Sequence, residues 1–382
     1  MTEQNRSVDD WLALAKKWMP ETRAFINGSF VDFAGATRFE SITPRDGAVL
    51  AVLEDGGAAA VDAAVTSARA AFADGRWRRM PPRQRADIMR RFADLVLAHR
   101  DELALAEALD VGKPISQTYN AEVDETAEAI RWYADAIDKV HDEVLSSPEH
   151  ALLTVTREPI GVIGAIVPWN FSIIIAAWKF APALATGNSV VLKPSELSTL
   201  PALILARLAA EAGIPDGVFN VVPGRGESVG SALSQHPDVD KITFTGSTAT
   251  ARRVVMDAAA SNMKSVSIEA GGKSPHVVFD DVEDWDRLVD TIAGSIYYNA
   301  GQACTSGSRV MVHESVHERL VADLVAKSAS WAPADPLAAA TQMGPIASRA
   351  QLDGILAKLA ANTSGTVVTG GHIAEPVAGG FY

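Results

Sequence analysis

The sequence has a single cysteine, an excess of acidic over basic residues, and no apolar stretch among its first 25 residues. Cys304 is the one cysteine among 382 residues, so no internal disulfide can form, which is typical of a protein of the reducing cytoplasm. The 34 Lys and Arg residues are outnumbered by 47 Asp and Glu residues, and the formal net charge is −13. Such an acidic surface repels phosphate backbones, so we expect no nucleic-acid partner. Residues 1–25 contain no apolar stretch of the kind that a secretory signal needs.

A long charge-free stretch is present but is interrupted. Residues 159–178 carry no charge over twenty positions, which is long enough to cross a bilayer. Pro168, Trp169 and Asn170 lie in its middle, where a proline breaks a helix and an amide is costly in lipid. We therefore interpret this stretch as a buried strand, a loop and a helix, and expect no membrane association. The composition is otherwise globular, with 48% hydrophobic and 21% charged residues, and the length predicts two to three domains.

The pattern of apolar segments predicts an α/β protein. Ala-rich amphipathic segments predict helices over 58–74, 82–109 and 121–140, and alternation predicts a strand over 152–158. From residue 160 onward, strand, turn and helix patterns repeat at a spacing that predicts a doubly wound parallel sheet. Ligands of such sheets bind at the carboxyl ends of the strands, so functional residues are expected just after strands.

Three loops of this kind could hold a dinucleotide. Gly224–Gly230 is one residue too long for the GxGxxG pattern and is also compatible with a plain tight turn. The loop from Thr245 to Thr248 could cradle a pyrophosphate with backbone amides, or could simply cap a helix. In LKPSE, the Glu196 carboxylate could accept hydrogen bonds from ribose hydroxyls, although a solvated surface pair with Lys193 is an alternative. Together the three loops favour a nucleotide site more than any one alone.

Three further residues have side chains suited to acyl chemistry. Cys304 lies in GQACTSGSR, where small residues leave backbone amides accessible beside the sulfur; a buried structural thiol is the alternative. Glu269 ends a predicted strand before two glycines, and is either a base or a surface carboxylate. Asn170 could donate to a developing oxyanion, or cap a turn.

The sequence also contains an H-E-x-x-H match at 313–317, which on one helix would bind zinc. The residues before His313 alternate as in a strand, and Ser315 with Glu318 forms a capping box that predicts a helix start near 316. The two histidines would then lie on different elements, so we expect no metal site.

Five motifs occur in a fixed order: PWN at 168–170, LKPSE at 192–196, FTGST at 244–248, EAGGKS at 269–274 and GQACTSGSR at 301–309. Together they resemble the NAD(P)-dependent aldehyde dehydrogenase superfamily, from about residue 24 to the end of the chain. The stretches RWYADAIDKV and SNMKSVSIEAGGKS look most like the γ-glutamyl-γ-aminobutyraldehyde dehydrogenases of polyamine catabolism.

The resemblance implies a role for each motif residue. Cys304 would be the nucleophile, Glu269 the base for the hydrolytic water, and Asn170 with the Cys304 backbone N–H the oxyanion hole. Lys193 and Glu196 would hold the adenosine ribose, which favours NAD over NADP. Phe171 and Trp178 would line the substrate tunnel beside Asn170, for an aliphatic ω-amino or γ-glutamylamino aldehyde. The other residues implied in coenzyme binding are Ile166, Val167, Pro168, Trp169, Ser195, Gly226, Gly230, Phe244, Thr245, Gly246, Ser247, Thr250, Ala270 and Gly271.

The resemblance also implies a domain plan. A Rossmann-type NAD-binding domain would comprise 1–140 and 160–268, a bridging oligomerisation hairpin 141–159, and an incomplete second α/β catalytic domain 269–382. The family's downstream glutamate–phenylalanine motif and closing oligomerisation strand are not among these residues, so we expect the native chain to continue past Tyr382. A homo-oligomer, dimer or tetramer, is expected.

Two positions depart from the family pattern, and two other functions remain open. Ala251 stands where a second glycine is usual, and helix–strand packing should survive; Ser172 stands where proline is common, which should loosen the next helix. One alternative is an NAD-independent thiol esterase or acyltransferase using the same cysteine. The other is a catalytically silent protein on the same fold.

Overall fold

The structure, a computed structural model, describes residues 6–374 and 380–381, so Tyr382 and the expectation attached to it lie outside the described residues. Before the parallel sheet, the chain forms helices and short antiparallel strand pairs. Their bounds are α1 Val8–Lys17, β1 Ala24–Ile26, β2 Ser29–Val31, β3 Thr37–Ile42, β4 Val49–Asp55, α2 Gly57–Asp74, α3 Pro82–Ala98, α4 Arg100–Val111, α5 Ile115–Gln117, α6 Val123–Ala136, β5 Glu143–Leu145 and β6 Leu153–Val155. A π-helical turn, Thr118–Glu122, joins α5 to α6.

The single helix predicted over 82–109 is wrong, because the chain breaks at His99 into α3 and α4. His99 has φ −100° and ψ 26°, outside helical geometry. Asp101 and Glu102 follow in the first turn of α4, where carboxylates favour a helix start. Asp101 and Glu102 therefore indicated the start of a new helix, although the apolar pattern runs on without a break.

From residue 160 the predicted alternation of strands and helices is confirmed. The elements are β7 Val162–Ile166, α7 Ser172–Ala185, β8 Ser189–Lys193, α8 Leu200–Ala212, β9 Phe219–Val221, α9 Ser231–Gln235, β10 Lys241–Gly246, α10 Thr248–Ala260 and β11 Ser265–Ala270. The sheet order is β11-β10-β7-β8-β9-β1-β2, with β1 and β2 antiparallel at one edge. The chain order reverses between β7 and β10, so this is the point at which a doubly wound sheet opens a crevice for ligands.

The charge-free stretch 159–178 forms β7, a turn and the first half of α7, as predicted. Both elements are almost wholly buried, which explains the absence of charges. No helix among the described residues has the length and apolar character that a membrane span requires.

After the sheet comes a smaller layer with its own core of Val278, Val289, Ile292 and Leu320. It contains β12 Pro275–Val278, α11 Trp285–Tyr297, β13 Arg309–Val312, α12 His317–Ser328 and α13 Arg349–Ala360. Strands β12 and β13 pair in parallel. The Ser315 capping box is a wrong prediction, since the His313 ring accepts the Ser315 N–H and a 3₁₀ turn precedes α12. His313 and His317 do lie on different elements, and within the described ranges no cluster of His, Cys, Asp and Glu has a metal-binding arrangement.

The two departures from the family pattern have different outcomes. Ala251 is 5% exposed within a hydrophobic cluster, which confirms that helix–strand packing survives. The expected loosening at Ser172 is wrong, because this residue is buried and its hydroxyl donates to Glu107 Oε1. The same oxygen accepts the Ile173 N–H at 3.1 Å, so a carboxylate anchors the start of α7.

Candidate active site

The loop after β7 and the segment that leads to Cys304 are joined by side-chain amides. Asn170 Nδ2 donates to the Gln302 carbonyl oxygen at 2.8 Å. Asn299 Nδ2 donates to the Asn170 carbonyl oxygen at 3.1 Å and to the Gln302 carbonyl oxygen at 3.2 Å. These bonds hold Asn170 beside the residues immediately before Cys304. The structure therefore places the predicted oxyanion donor against the loop that carries the predicted nucleophile.

The backbone before Cys304 turns through left-handed residues. Asn299, Ala300 and Gly301 have φ of 50°, 54° and 73°, a conformation that costs energy for the two residues with a Cβ. The Gln302 side chain stabilises the turn, since its Nε2 donates to the Asn299 carbonyl oxygen at 3.1 Å and its Oε1 accepts the Ala347 N–H at 3.0 Å. The turn leaves Cys304 exposed as a free thiol.

The end of β11 passes beside the same loop. A Cβ added to Gly272 would lie 3.3 Å from the Cys304 carbonyl oxygen, so the glycine permits a close approach. Glu269 is exposed three residues earlier and pairs in register with Thr245 of β10. Cys304, Asn170 and Glu269 thus belong to segments that meet at one edge of the sheet.

Sequence reasoning missed Lys179, a buried lysine near Glu269. Its Nζ donates to Thr243 Oγ1 at 3.1 Å. Burial lowers the pKa of Lys179 to about 8, and the charge of Glu269 acts in the opposite direction. The signal was a lone lysine in the otherwise apolar segment SIIIAAWKFAPALA, a composition in which a charge is rarely accidental.

The predicted tunnel residues have different surroundings. Phe171 stacks on Tyr298 with ring centroids 6.0 Å apart, whereas Trp178 is 56% exposed on α7. Tyr298 was not predicted, although the aromatic pair in IYYNAGQAC just before the cysteine loop was a usable signal. Burial raises the pKa of Tyr298, and nearby carboxylates, including Glu125, add to the effect.

A cluster of buried charged side chains packs against the ring of Phe171. Lys113 Nζ lies 3.9 Å from the centroid of the Phe171 ring, 3.8 Å from Glu107 Oε2, and in contact with Glu122 Oε1. All three charged side chains are essentially inaccessible to solvent. Burial raises the pKa of Glu122, and the adjacent Lys113 cation acts in the opposite direction.

A cavity of about 420 Å³ lies at the switch point between β7 and β10. It brings together five of the predicted coenzyme residues: Ile166, Gly226, Gly230, Phe244 and Thr250. A Cβ built on Gly226 or Gly230 meets no atom within 4 Å, so the glycines leave open space for a ligand. The apolar walls and the glycine loop fit the adenosine end of a dinucleotide.

The LKPSE loop lies at the carboxyl end of β8, the strand that pairs with β7 next to the cavity. Lys193 is 3% exposed, and its Nζ lies 3.2 Å from Glu196 Oε2. Burial lowers the pKa of Lys193, while Glu196 and Asp55 raise it. Ser195 Oγ accepts the Leu197 N–H at 3.3 Å, which gives it a role in the turn.

The loop after β10 begins α10 with an ordinary N-cap. Ser247 Oγ accepts the Thr250 N–H at 3.1 Å, so the capping interpretation holds for this side chain. A Cβ on Gly246 would lie 2.6 Å from the Phe244 ring, which explains the glycine. The remaining predicted coenzyme residues lie at or just after the ends of β7, β10 and β11: Val167, Pro168, Trp169, Thr245, Ala270 and Gly271.

Comparison with known proteins agrees with this geometry. The aldehyde dehydrogenase family model matches residues 30–382. The chain is 46% identical over 345 residues to the NADP/NAD-dependent aldehyde dehydrogenase PuuC of Escherichia coli, covering 90% of this chain and 70% of that protein. It is 44% identical to aminoacetaldehyde dehydrogenase of Pseudomonas aeruginosa, covering 92% of this chain and 71% of that protein.

Among solved structures, the γ-glutamyl-γ-aminobutyraldehyde dehydrogenase of Burkholderia cenocepacia superposes with a TM-score of 0.96 at 48% identity, covering 99% of this chain and 76% of that one. The resemblance and the fold class inferred from the motifs are confirmed by these matches. The chain belongs to the aldehyde dehydrogenase family, whose members oxidise aldehydes to carboxylic acids with NAD or NADP.

Proposed function

We propose that Cys304 is the nucleophile of aldehyde oxidation. Its thiolate would add to the carbonyl carbon, and the carbonyl electron pair would move to oxygen, giving a thiohemiacetal oxyanion. The Asn170 amide has two N–H groups, and one of them is engaged by Gln302. The other, with the Cys304 backbone N–H, would donate to the oxyanion. The observation that carries this proposal is the bond that fixes Asn170 to the cysteine loop.

We propose that Glu269 takes a proton from the water that hydrolyses the acyl thioester on Cys304, releasing the acid and the thiolate. Its exposed position at the end of β11 gives water access to the carboxylate. A bound nicotinamide coenzyme supplies the hydride acceptor that the oxidation requires.

For the coenzyme, we propose NAD in preference to NADP. The Glu196 carboxylate would accept hydrogen bonds from the adenosine ribose hydroxyls and would repel a 2′-phosphate. Lys193, held beside it, would donate to the same ribose. Comparing kcat/KM for NAD and NADP with one aldehyde tests this, and a preference for NADP would contradict it.

For the substrate, we propose an aldehyde with a cationic or polar ω-amino end. Glu107 and Glu122 share the buried cation Lys113, whereas Glu125 has no such cation beside it, and its charge acts on Tyr298. Glu125 is exposed and forms no ion pair with any residue in the described part of the chain. A carboxylate and an aromatic face together suit an ammonium group. Similarity to PuuC and to aminoacetaldehyde dehydrogenase supports the same class.

The test is a panel of aldehydes assayed with NAD. We expect 4-aminobutanal and γ-glutamylaminobutanal to be oxidised with higher kcat/KM than butanal, and Glu125→Gln to reduce this preference by several-fold. Glu128→Gln, an exposed carboxylate one turn further along the same helix that does not act on Tyr298, is the matched control. Equal use of charged and uncharged aldehydes would contradict the substrate proposal. Ester hydrolysis without any aldehyde oxidation would favour the esterase alternative.

We propose that the chain follows the family's domain plan and assembles as a homo-oligomer of the cytoplasm. The hairpin of β5 and β6 between the sheet segments supports a bridging role for 141–159, and its Val144 and Leu152 side chains are 73% and 74% exposed. Apolar side chains this exposed are typical of an interface. Light scattering after gel filtration tests the assembly, and a monomer at micromolar concentration would contradict it.

A further inference from the structure

Asp55, at the end of β4, contacts the glycine loop from outside the five motifs. It is 4% exposed, and its Oδ2 accepts the Arg225 N–H at 2.9 Å and the Ser228 hydroxyl at 2.6 Å. Its Oδ1 accepts the Gly57 N–H at 3.0 Å, at the start of α2. One carboxylate therefore joins the first helix after β4 to a loop about 170 residues later.

The glycine loop has no spare room against this carboxylate. Gly224 has φ +146°, and a Cβ built there would lie 2.8 Å from Asp55 Oδ1 and 2.3 Å from Val229 Cγ2. From this contact the chain continues directly into the π-helical turn Gly226–Gly230, whose glycines line the 420 Å³ cavity. The position of the cavity wall thus depends on the contact between Asp55 and the loop.

Asp55 also acts on the second coenzyme loop through its charge. Lys193 is almost fully buried, and burial disfavours its cationic form. The Asp55 carboxylate opposes that effect together with Glu196, although it forms no direct bond to the lysine. One buried aspartate therefore supports both loops that the proposed coenzyme site requires.

We infer that Asp55 is a positioning residue of the coenzyme site, which fixes the Gly224–Ser228 loop by hydrogen bonds and supports the Lys193 cation without touching the coenzyme. The inference rests on the coenzyme site proposed above. Asparagine at 55 would keep the size of the side chain but lose its charge, and it would present an N–H toward the Arg225 N–H or the Ser228 hydroxyl. Removing a charged acceptor from two partly buried donors weakens a site even when the fold survives.

The experiment measures NAD and ADP-ribose binding by calorimetry, and NAD-independent ester hydrolysis at Cys304, for the wild type and Asp55→Asn. We expect the dissociation constants for both ligands to rise about tenfold and ester hydrolysis to stay within about twofold. Ser228→Ala removes one of the loop bonds and should raise the constants about threefold. Aldehyde oxidation should then show a raised KM for NAD with little change in kcat.

Asp240→Asn is the matched control. Asp240 accepts the Val162 N–H at 2.7 Å, and a Cβ on Gly161, at φ +140°, would lie 1.9 Å from its Oδ2, so the local arrangement repeats that of Asp55 and Gly224. It lies at the amino ends of β7 and β10, on the opposite edge of the sheet, and should leave NAD affinity unchanged.

Each outcome decides between the inference and the function on which it rests. A wild type that binds no NAD overturns the coenzyme site and the inference with it. A wild type that binds NAD, with Asp55→Asn unchanged, overturns the inference alone. If Asp55→Asn loses ester hydrolysis as well, the fold is damaged and Ser228→Ala decides: weaker NAD binding with intact ester hydrolysis supports the inference, and unchanged binding overturns it.

Discussion

The coenzyme side and the catalytic side of the site differ in how their residues are brought together. On the coenzyme side, Ile166 and Phe244 occupy paired positions on adjacent strands, and the glycine loop follows directly from β9. On the catalytic side, Asn170 and Gln302 are 132 positions apart and meet through a side-chain amide at 2.8 Å. On the coenzyme side, sheet geometry sets the cavity wall and the Asp55 bonds fix its glycine loop, whereas the catalytic side depends mainly on side-chain bonds between distant segments. Changes on the two sides should therefore affect different measurable quantities.

The sharpest separation of the two sides should come from Cys304→Ala. Removing the nucleophile should lower aldehyde oxidation by more than about 10³-fold, because no other thiol is present in the chain. NAD affinity, measured by calorimetry, should remain within about twofold because the cavity lies on separate strands. Loss of NAD binding in this variant would instead indicate that the thiol is structural.

Asn170→Ala tests whether the amide acts in catalysis as well as in holding the loop. A single oxyanion donor is worth about 10²–10³ in kcat, and we expect a loss of that size. Asn170→Asp keeps the size of the side chain but lacks the N–H, and should be equally impaired. A change below threefold in steady-state turnover would exclude Asn170 from the oxyanion hole.

A substitution at Gly226 should have the opposite effect, weakening coenzyme binding without affecting the chemistry at Cys304. Its Cβ position is open space in the cavity wall, so Gly226→Val should fill part of the cavity without disturbing neighbouring atoms. We expect KM for NAD to rise about tenfold, with ester hydrolysis at Cys304 unaffected. The matched control is Gly354→Val on α13, where a Cβ also meets no atom within 4 Å but no cavity residue is involved. Equal loss of both activities in Gly226→Val would contradict the separation.

The same difference explains how much could be predicted from the sequence. Strand and helix periodicity predicted the parallel sheet, and with it the loops after β8, β9 and β10, because each functional residue is local to its strand. The motifs predicted Cys304, Asn170 and Glu269 through resemblance. Ligand contacts at all these positions remain predictions.

What the sequence did not reveal depends on contacts between distant segments. Asp55 meets the glycine loop across 170 residues, and Lys113 reaches Phe171 from the turn after α4. Neither lies in a motif, and nothing in the local pattern distinguishes them from surface charges. The break at His99 was missed because the local apolar pattern continues through it, although the helical conformation of the backbone is interrupted there.

The last prediction compares two buried lysines, one on each side. Lys193 is paired with Glu196, whereas Lys179 donates to the neutral Thr243 hydroxyl, and burial holds its pKa near 8 against an ordinary value of 10.5. Between these values the unfolded chain binds more protons than the folded chain, so the free energy of unfolding contributed by Lys179 rises with pH.

The stability of the wild type relative to Lys179→Met should therefore increase from pH 8 toward pH 10.5, by something of the order of 2 kcal/mol. Urea denaturation at several pH values measures it. Lys358→Met, at an exposed position on α13, should give a difference that does not vary across the same window. A pH-independent difference for Lys179→Met would mean that the Lys179 ammonium group reaches solvent. The buried lysine on the catalytic side would then be more accessible to water than Lys193 on the coenzyme side.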